Sequence, residues 1–337
     1  MARYILRRVL LALPALLGLV LLTFVLTRVI PGDPAGTLAG DSATPAQIAE
    51  IRARYGLDRP IWEQALVHVR QVLTGDLGSS IFSGRPVMEE IIFRLPATLE
   101  LTFAAMLLSI GLGIPLGLLA ALNHNGPVDH IVRVVSIGGL AVASFWLAIM
   151  LQLVFAMDLD ILPLRGRSDI IYGAPPFVSG FYLIDSLLAW QPALFLDSLR
   201  HLVLPAVTLC LPGLASIARF TRSGVLEALQ KDYVLYARAA GYGRFRLAVI
   251  YVLRNAITVT VTQIGLLFGA LISGTVAIEA IFDWPGLGTY AVEAILSADY
   301  KALLAVTLVV GVVYAVINVL VDVLQAVIDP RIAEDVR

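Results

Sequence analysis

The sequence contains one cysteine, Cys210, in 337 residues. No disulfide can close within the chain, and neither a redox pair nor a cysteine-ligated metal site can be built. Histidine is nearly as scarce at four residues. His124 and His130 share one short polar link, but a tetrahedral site needs three or four ligands, so no metal site is expected. Charge is sparse at 15% of residues and almost balanced, with a net value of -1. Without a basic excess to neutralise phosphates, nucleic acid is excluded as a partner. A G-x-x-x-x-G-K-[ST] run is also missing, so the chain has no phosphate cradle of the usual kind.

What the sequence has in quantity is apolar surface, 59% of residues with a mean hydropathy of +0.87, the composition of an integral membrane protein. Six stretches, roughly 9–30, 100–122, 134–157, 202–219, 256–279 and 302–327, approach the ~20 residues needed to cross a hydrocarbon core. Arg3, Arg7 and Arg8 precede the first. Its apolar run, Val9 to Leu26, exceeds the usual signal-peptide core and reads as an uncleaved span with its N-terminus inside. An even number of spans returns the C-terminus to the same side. The expected fold is all-α and polytopic, a multi-pass membrane protein with six transmembrane helices and both termini cytoplasmic. It divides into residues 1–30 (tail and first span), an extracytoplasmic (periplasmic) subdomain at 31–99, a core at 100–330 with a cytoplasmic loop at 220–255, and a tail at 331–337.

The 31–99 region carries Pro31-Gly-Asp-Pro34, a helix start at Thr44-Pro45 and Gly75-Asp-Leu-Gly-Ser-Ser80. Thr44 before proline is a good start signal, and Ile48 and Ile51 would share one face with Glu50 and Arg54 outward. Gly111, Gly113, Pro115 and Gly117 in span two suit close helix packing. The second outer loop, 158–200, is rich in proline, glycine and aromatics, and Trp190 fits the membrane interface. Pro205 and Pro212 predict a kinked or broken fourth span beside a pathway. Gly265, Gly269, Ser273 and Gly274 form a small-residue stripe in span five suited to a dimer core. Beyond it, Glu279, Asp283, Glu293 and Asp299 face a single lysine. Glu279, Asp283 and Trp284 are the candidates for the translocation path or outer gate. The acidic group either attracts an amino group or basic patch, or is only a solvated loop. In span six, Asn318 and Asp322 share one helical face and read as a structural intramembrane polar pair that anchors helices.

The chain is organised around its polar island, Thr221 to Asn255, which holds Arg222, Lys231, Arg238, Arg244, Arg246 and Arg254 against Glu227 and Asp232. Its basic excess places it in the cytosol. Asp232 is expected to cap a helix through Tyr233, Ala237 and Ala240, which Gly241 ends in the left-handed conformation. Phe245, Val249, Val252 and Leu253 then form the apolar face of a second helix. Two readings stand: the pair seats in a groove on a partner, or it is an amphipathic connector on the lipid surface.

Several short motifs, weak singly and specific in their order, run along nearly the whole chain. They are Arg7-Arg8, Pro31-Gly-Asp-Pro34, Tyr55-Gly-Leu-Asp58, Gly75-Asp-Leu-Gly78, Gly84-Arg-Pro-Val87, Arg94-Leu-Pro-Ala-Thr-Leu-Glu100, Asp232-Tyr-Val234, Ala237-Arg-Ala-Ala-Gly241, Leu253-Arg-Asn-Ala256, Trp284-Pro-Gly-Leu-Gly288 and Asp329-Pro-Arg331. In these the chain resembles the inner-membrane permease subunit of ABC importers, in the dipeptide, oligopeptide and nickel branch. The resemblance implies a non-enzymatic transport subunit with no catalytic residues. It implies a sister permease, two ATP-binding subunits that carry ATP and Mg, a periplasmic or lipid-anchored substrate-binding protein, and alternating access. Asp232, Tyr233, Ala237, Arg238, Ala240, Gly241, Arg244 and Arg254 become the ATPase-coupling residues. Leu235 and Tyr236 stand where the general motif has glutamate and alanine, and Arg254-Asn255 where many importers have proline, departures that resemble the peptide branch.

Two other classes make different demands. An ion-coupled secondary transporter needs its own mid-membrane ion site, often within an inverted repeat, and no convincing repeat and few mid-membrane charges are present. An intramembrane protease would use Ser273 with His201, which requires a hydrogen-bonded dyad and an oxyanion site.

Overall fold

The structure is a computed structural model that describes residues 2–29, 44–47, 49, 58–80 and 82–328. Its named elements are helices: α1 (Ala2–Val29), α2 (Ile61–Leu73), α3 (Val87–Leu122), α4 (Pro127–Ala141), α5 (Ser144–Leu151), α6 (Tyr182–Leu188), α7 (Pro192–Leu229), α8 (Asp232–Ala239), α9 (Arg254–Phe282), α10 (Leu287–Leu296) and α11 (Tyr300–Ile328). A π-helical turn, Gln152–Asp158, continues α5; a helical turn, Arg244–Arg246, and a π-helical stretch, Leu247–Leu253, lead into α9. Five helices are long and apolar enough to cross a membrane, and the pair α4–α5 makes a sixth candidate.

The central helix is α7. Leu202, Leu209 and Cys210 on it meet Leu101 and Ala105 of α3, Ala148 of α5 and Phe268 and Ile272 of α9 in one buried cluster. Small residues allow the tightest of these approaches. A Cβ at Gly113 would lie 2.8 Å from the Ile217 side chain, and one at Gly117 would lie 2.5 Å from the Ala218 carbonyl oxygen, so larger residues there would force α3 off α7. By contrast α1 exposes Leu10, Leu13, Leu17 and Leu21 along its length. Near its start Arg8 pairs with Asp322 of α11 at 3.1 Å.

Several sequence expectations need correction. Helix α3 begins at Val87 and α7 at Pro192, well before the apolar windows at 100 and 202. Polar residues in these extensions have partners elsewhere in the fold, so they do not interrupt the helices. The third span is not continuous: α4 and α5 meet at a bend of 102° through extended Val142 and Ala143. Gly138-Gly139, poor helix formers, stand one turn before the bend. The fourth span is unbroken despite Pro205 and Pro212. Packed neighbours on several sides hold that backbone, a setting in which membrane helices tolerate proline. In span five, Gly265 and Gly269 of the small-residue stripe make contacts within the chain, while Ser273 is exposed. A Cβ at Gly265 would lie 2.6 Å from Val321 of α11, and Gly269 packs under Tyr314.

The region between α1 and α3 is partly described. Thr44 and Gln47 form a reciprocal capping box, with the Thr44 N–H donating to Gln47 Oε1 (2.9 Å) and the Gln47 N–H to Thr44 Oγ1 (3.4 Å). The motifs at 31–34, 55–57 and 329–331, the tail 331–337, and the helix positions Ile48, Glu50, Ile51 and Arg54 lie outside the described residues. The segment Gly75–Ser80 docks on the start of α11: the Ser80 hydroxyl donates to Asp299 Oδ2 (2.5 Å), and Asp299 Oδ1 accepts the Ala302 N–H (3.2 Å).

Candidate functional site

The island is an elbow between α7 and α9. Helix α8 follows α7 after two residues and buries Val234 and Ala237, one turn apart, against Val225 and Ala228 of α7, Ala121 of α3, and Leu247, Val252 and Ala256. Its other face is open, with Tyr236 78% and Leu235 67% exposed, and Phe245 beyond the turn is 82% exposed. Gly241 ends α8 with φ +81°. Its N–H donates to the Arg238 carbonyl (3.1 Å), and the Tyr242 N–H donates to that of Ala237 (3.3 Å), the paired bonds of a Schellman stop. Tyr242 then stacks on Tyr251 at 5.2 Å, with the Arg246 guanidinium 5.0 Å from the Tyr242 ring, closing the elbow. The Tyr242 partnership raises the Tyr251 phenol above its ordinary pKa.

Two details of the island differ from the sequence reading. The N-cap of α8 is Lys231, and Asp232 is the first helical residue, without a capping hydrogen bond. Its carboxylate still sits in the first turn, where the helix dipole favours negative charge. The apolar face of the second helix is also displaced. Phe245 and Val249 are exposed, and Leu247, Ala248, Val252 and Ala256 are buried. Val252 lies on the expected face and Leu253 packs partly buried beside it, but the π-helical stretch, whose i→i+5 bonding lengthens the turn, puts Leu247 and Ala248 inward in place of Phe245 and Val249.

The basic residues of the island do not act as one group. Lys231 pairs with Glu227 at 3.0 Å, Arg238 and Arg254 are exposed, and Arg222 is drawn inward to Asp129. Asp129 is 0% exposed. Its Oδ1 accepts from Arg222 Nε (2.6 Å), and its Oδ2 accepts from Arg222 Nη2 (2.9 Å), Arg133 Nη2 (3.0 Å) and the Asn125 N–H (3.0 Å). The sequence reading missed Asp129. The available signal was an acidic residue three positions after Gly126 at a proline-initiated helix start.

At the opposite end of α9, Glu279 and Trp284 do not line an open path. Glu279 is fully buried, and its carboxylate accepts the Thr98 hydroxyl (2.7 Å) and the N–H groups of Gly288 (2.7 Å) and Thr289 (3.1 Å) in the first turn of α10. All three neighbours donate, so the residue serves as an N-terminal cap supplied by another helix. Trp284, 1% exposed, donates its indole N–H to the Ala97 carbonyl at 2.9 Å. The rest of the acidic set is dispersed: Glu293 pairs with Arg94 at 3.1 Å, Asp299 is buried under Ser80, and Asp283 is exposed at φ +51°.

The loop at 158–200 joins the same assembly through Arg167 and Asp185, which the sequence reading did not single out. Arg167 and Glu100, both nearly buried, form an ion pair. Arg167 also donates to the Gly180 carbonyl (3.1 Å) and covers the Tyr182 ring at 3.7 Å, and the Leu183 N–H donates to Glu100 Oε1 (2.9 Å). Asp185 gathers the N–H groups of Val178, Ser179 and Gly180. Burial alone would raise its pKa, but the hydrogen bonds from Ser179, Gly180 and Val178 outweigh it and hold the carboxyl below the ordinary range. Elsewhere, Asp322 meets Arg8, and Asn318 is half-buried one turn away. Ser273 donates to the Gly269 carbonyl of its own helix and His201 Nδ1 lies 2.9 Å from the Asp197 carbonyl, so these two residues are not paired with each other.

Comparison with known proteins gives a consistent set of relatives. Residues 113–334 match the family described as "Binding-protein-dependent transport system inner membrane component", and residues 1–102 match its N-terminal companion. The chain is 43% identical over 315 residues to the "Probable D,D-dipeptide transport system permease protein DdpB" of Escherichia coli K12, covering 94% of this chain and 93% of that protein. It is 39% identical to the dipeptide transport system permease protein DppB of the same organism, over 98% of this chain and 99% of the relative. The oligopeptide transport system permease protein AppB of Bacillus subtilis is 34% identical, again over 98% and 99%. Among solved structures, a chain of the MetNI methionine ABC transporter in inward-facing conformations superposes with a TM-score of 0.53 at 14% identity. It covers 72% of this chain and 97% of that one, a likeness of fold.

Proposed function

The chain belongs to the binding-protein-dependent transport system inner membrane component family, and from that membership we propose that it passes di- or oligopeptides across the inner membrane under the drive of separate ATPase subunits. It is a multi-pass inner-membrane permease subunit of an ABC transport system and is not itself catalytic. The peptide class is supported by the dipeptide and oligopeptide permeases to which it is similar over nearly its full length. In this reading the path forms with a sister permease, two ATP-binding subunits carrying ATP and Mg sit beneath, and a periplasmic or lipid-anchored binding protein delivers the substrate. Both termini and the elbow are cytosolic, and residues 31–99 form an outer subdomain.

The observation that carries the reading is the elbow. Helix α8 is fixed to α3, α7 and α9 by Val234 and Ala237, yet presents Leu235 and Tyr236 outward, with exposed Phe245 beyond the turn. An exposed aromatic face on a rigidly mounted short helix suits docking into a groove on an ATPase, whose closure would then move the attached helices together. Exposed Arg238 and Arg254 supply charge around it; the Arg244 side chain lies outside the described residues. The test is import of a labelled dipeptide into proteoliposomes containing the whole complex. ATP-dependent uptake is expected for the parent. Gly241→Pro, and the pair Arg244→Glu with Arg254→Glu, should insert normally and lose uptake. Variants that bind the ATPase subunits and import as well as the parent would refute the coupling assignment.

A further inference from the structure

The elbow's apolar cluster joins α3, α7, α8 and the start of α9, but contains no residue of α4 or α5. The cytosolic end of the bent span is held instead by the Asp129 knot. Asp129 lies in the first turn of α4, and Arg222 lies one turn before Val225, the α7 residue that packs in the elbow cluster. Arg222 grips the carboxylate side-on through Nε and Nη2, the arrangement that fixes direction as well as distance. Asn125, in the link between α3 and α4, adds its N–H from a left-handed backbone at φ +61°. Apolar contacts continue the seam farther along, where Val132 meets Ala218 and Gly139 packs on Leu211 and Ala215 of α7.

Burying a carboxylate contributes little net stability compared with an apolar contact of the same shape, and the best-attested use of such a pair is to fix register. Here the register fixed is that of a span already bent by 102° against the helix that leads into the elbow. We infer that Asp129 is a positioning residue for coupling: through Arg222 it passes movement of the elbow into α4, so that the bent span follows α7 when the ATPases close. This rests on the proposed function above. It needs no new ligand, only that α7 and α4 move as one body at their cytosolic ends.

The test measures peptide imported per ATP hydrolysed in the same reconstituted complex. Asp129→Asn and Arg222→Gln should lower that ratio on the order of fivefold or more, the lower range of coupling between two sites, while ATP hydrolysis persists. Arg222→Lys keeps the charge and loses the side-on grip, so its ratio should fall between those of Arg222→Gln and the parent. Arg133→Gln removes the more exposed cation and should change the ratio least. If Asp129→Asn fails to assemble, Arg222→Lys decides. A ratio equal to the parent's, or import and hydrolysis falling in proportion, overturns the inference. A parent complex that imports nothing on ATP overturns instead the proposed function on which it rests.

Discussion

Substitution of Glu279 probes the outer junction most directly, because one side chain holds the start of α10, the Trp284 loop and α3 together. In Glu279→Gln the amide oxygen can still accept from Gly288 and Thr289, both of which donate to Oε2. The amide nitrogen then faces Thr98 Oγ1, which already accepts the Leu287 N–H at 2.7 Å, so the threonine proton loses its acceptor. One charge-assisted bond is removed, a loss of about 1.5–3 kcal/mol. Glu279→Ala strands the two backbone N–H groups as well, each a buried donor costing about 1–3 kcal/mol, so the total should reach about 4 kcal/mol or more. Unfolding of the detergent-solubilised chain by SDS, followed through Trp284 fluorescence, measures both. Of the four tryptophans, Trp62, Trp146 and Trp190 are exposed and can be replaced by phenylalanine, leaving the buried reporter that donates to Ala97. The expected order is parent, Gln, Ala, with Asp283→Asn, an exposed neighbour, within about 0.5 kcal/mol of the parent. If Glu279→Ala unfolds at the parent's SDS fraction, the capping argument fails.

Two ion pairs should separate sharply in the same unfolding assay. Arg167→Ala leaves Glu100 buried and unpaired and should cost about 3–5 kcal/mol, whereas Glu227→Ala opens the exposed Lys231–Glu227 pair and should cost less than about 1 kcal/mol; comparable losses would refute the distinction. The loop at 178–185 should be sensitive to acid. A carboxyl whose folded pKa is depressed contributes stability above its unfolded value of ~3.9 and loses it as pH falls through the folded value, so pepsin cleavage near Ser179 should rise as pH drops from 5 toward 2. Asp185→Asn should be cleaved readily across that range; a pH profile identical to the parent's would remove Asp185 as the cause.

The spans were legible because an apolar run of about 20 residues has few alternatives to crossing a bilayer. Their ends were not, and the reason is particular. Glu90 and Arg94 fall before the apolar window that starts near residue 100, yet Arg94 meets Glu90 and Glu293, and Glu100 at the window's edge meets Arg167, so all lie within α3. Such partners stand up to 199 residues apart, as for Arg94 and Glu293, and no window along the chain registers them. The bend at Val142-Ala143 is harder still, since neither residue is a helix breaker and only Gly138-Gly139 hints at weakness nearby.

The elbow shows how range decides what a sequence reveals. Gly241 could be read in place because a Schellman stop closes within six residues and asks for a left-handed backbone that glycine adopts freely. The side chains of the next helix could not, because the π-helical stretch shifts the burial pattern without a compositional signature in Leu247–Leu253. Arg222 is the sharper case. As one of six basic residues in the island it looks like part of a solvated surface, and its sidedness argument needs only its charge. Its partner, Asp129, is 93 positions away in another polar link, and neither residue announces the other. In the orientation proposed for the elbow the same arginine contributes to topology through a rule about loops, and in the structure it contributes to architecture through its pair with buried Asp129. Replacing it with lysine would preserve the first contribution and weaken the second, which separates insertion from coupling in a single variant.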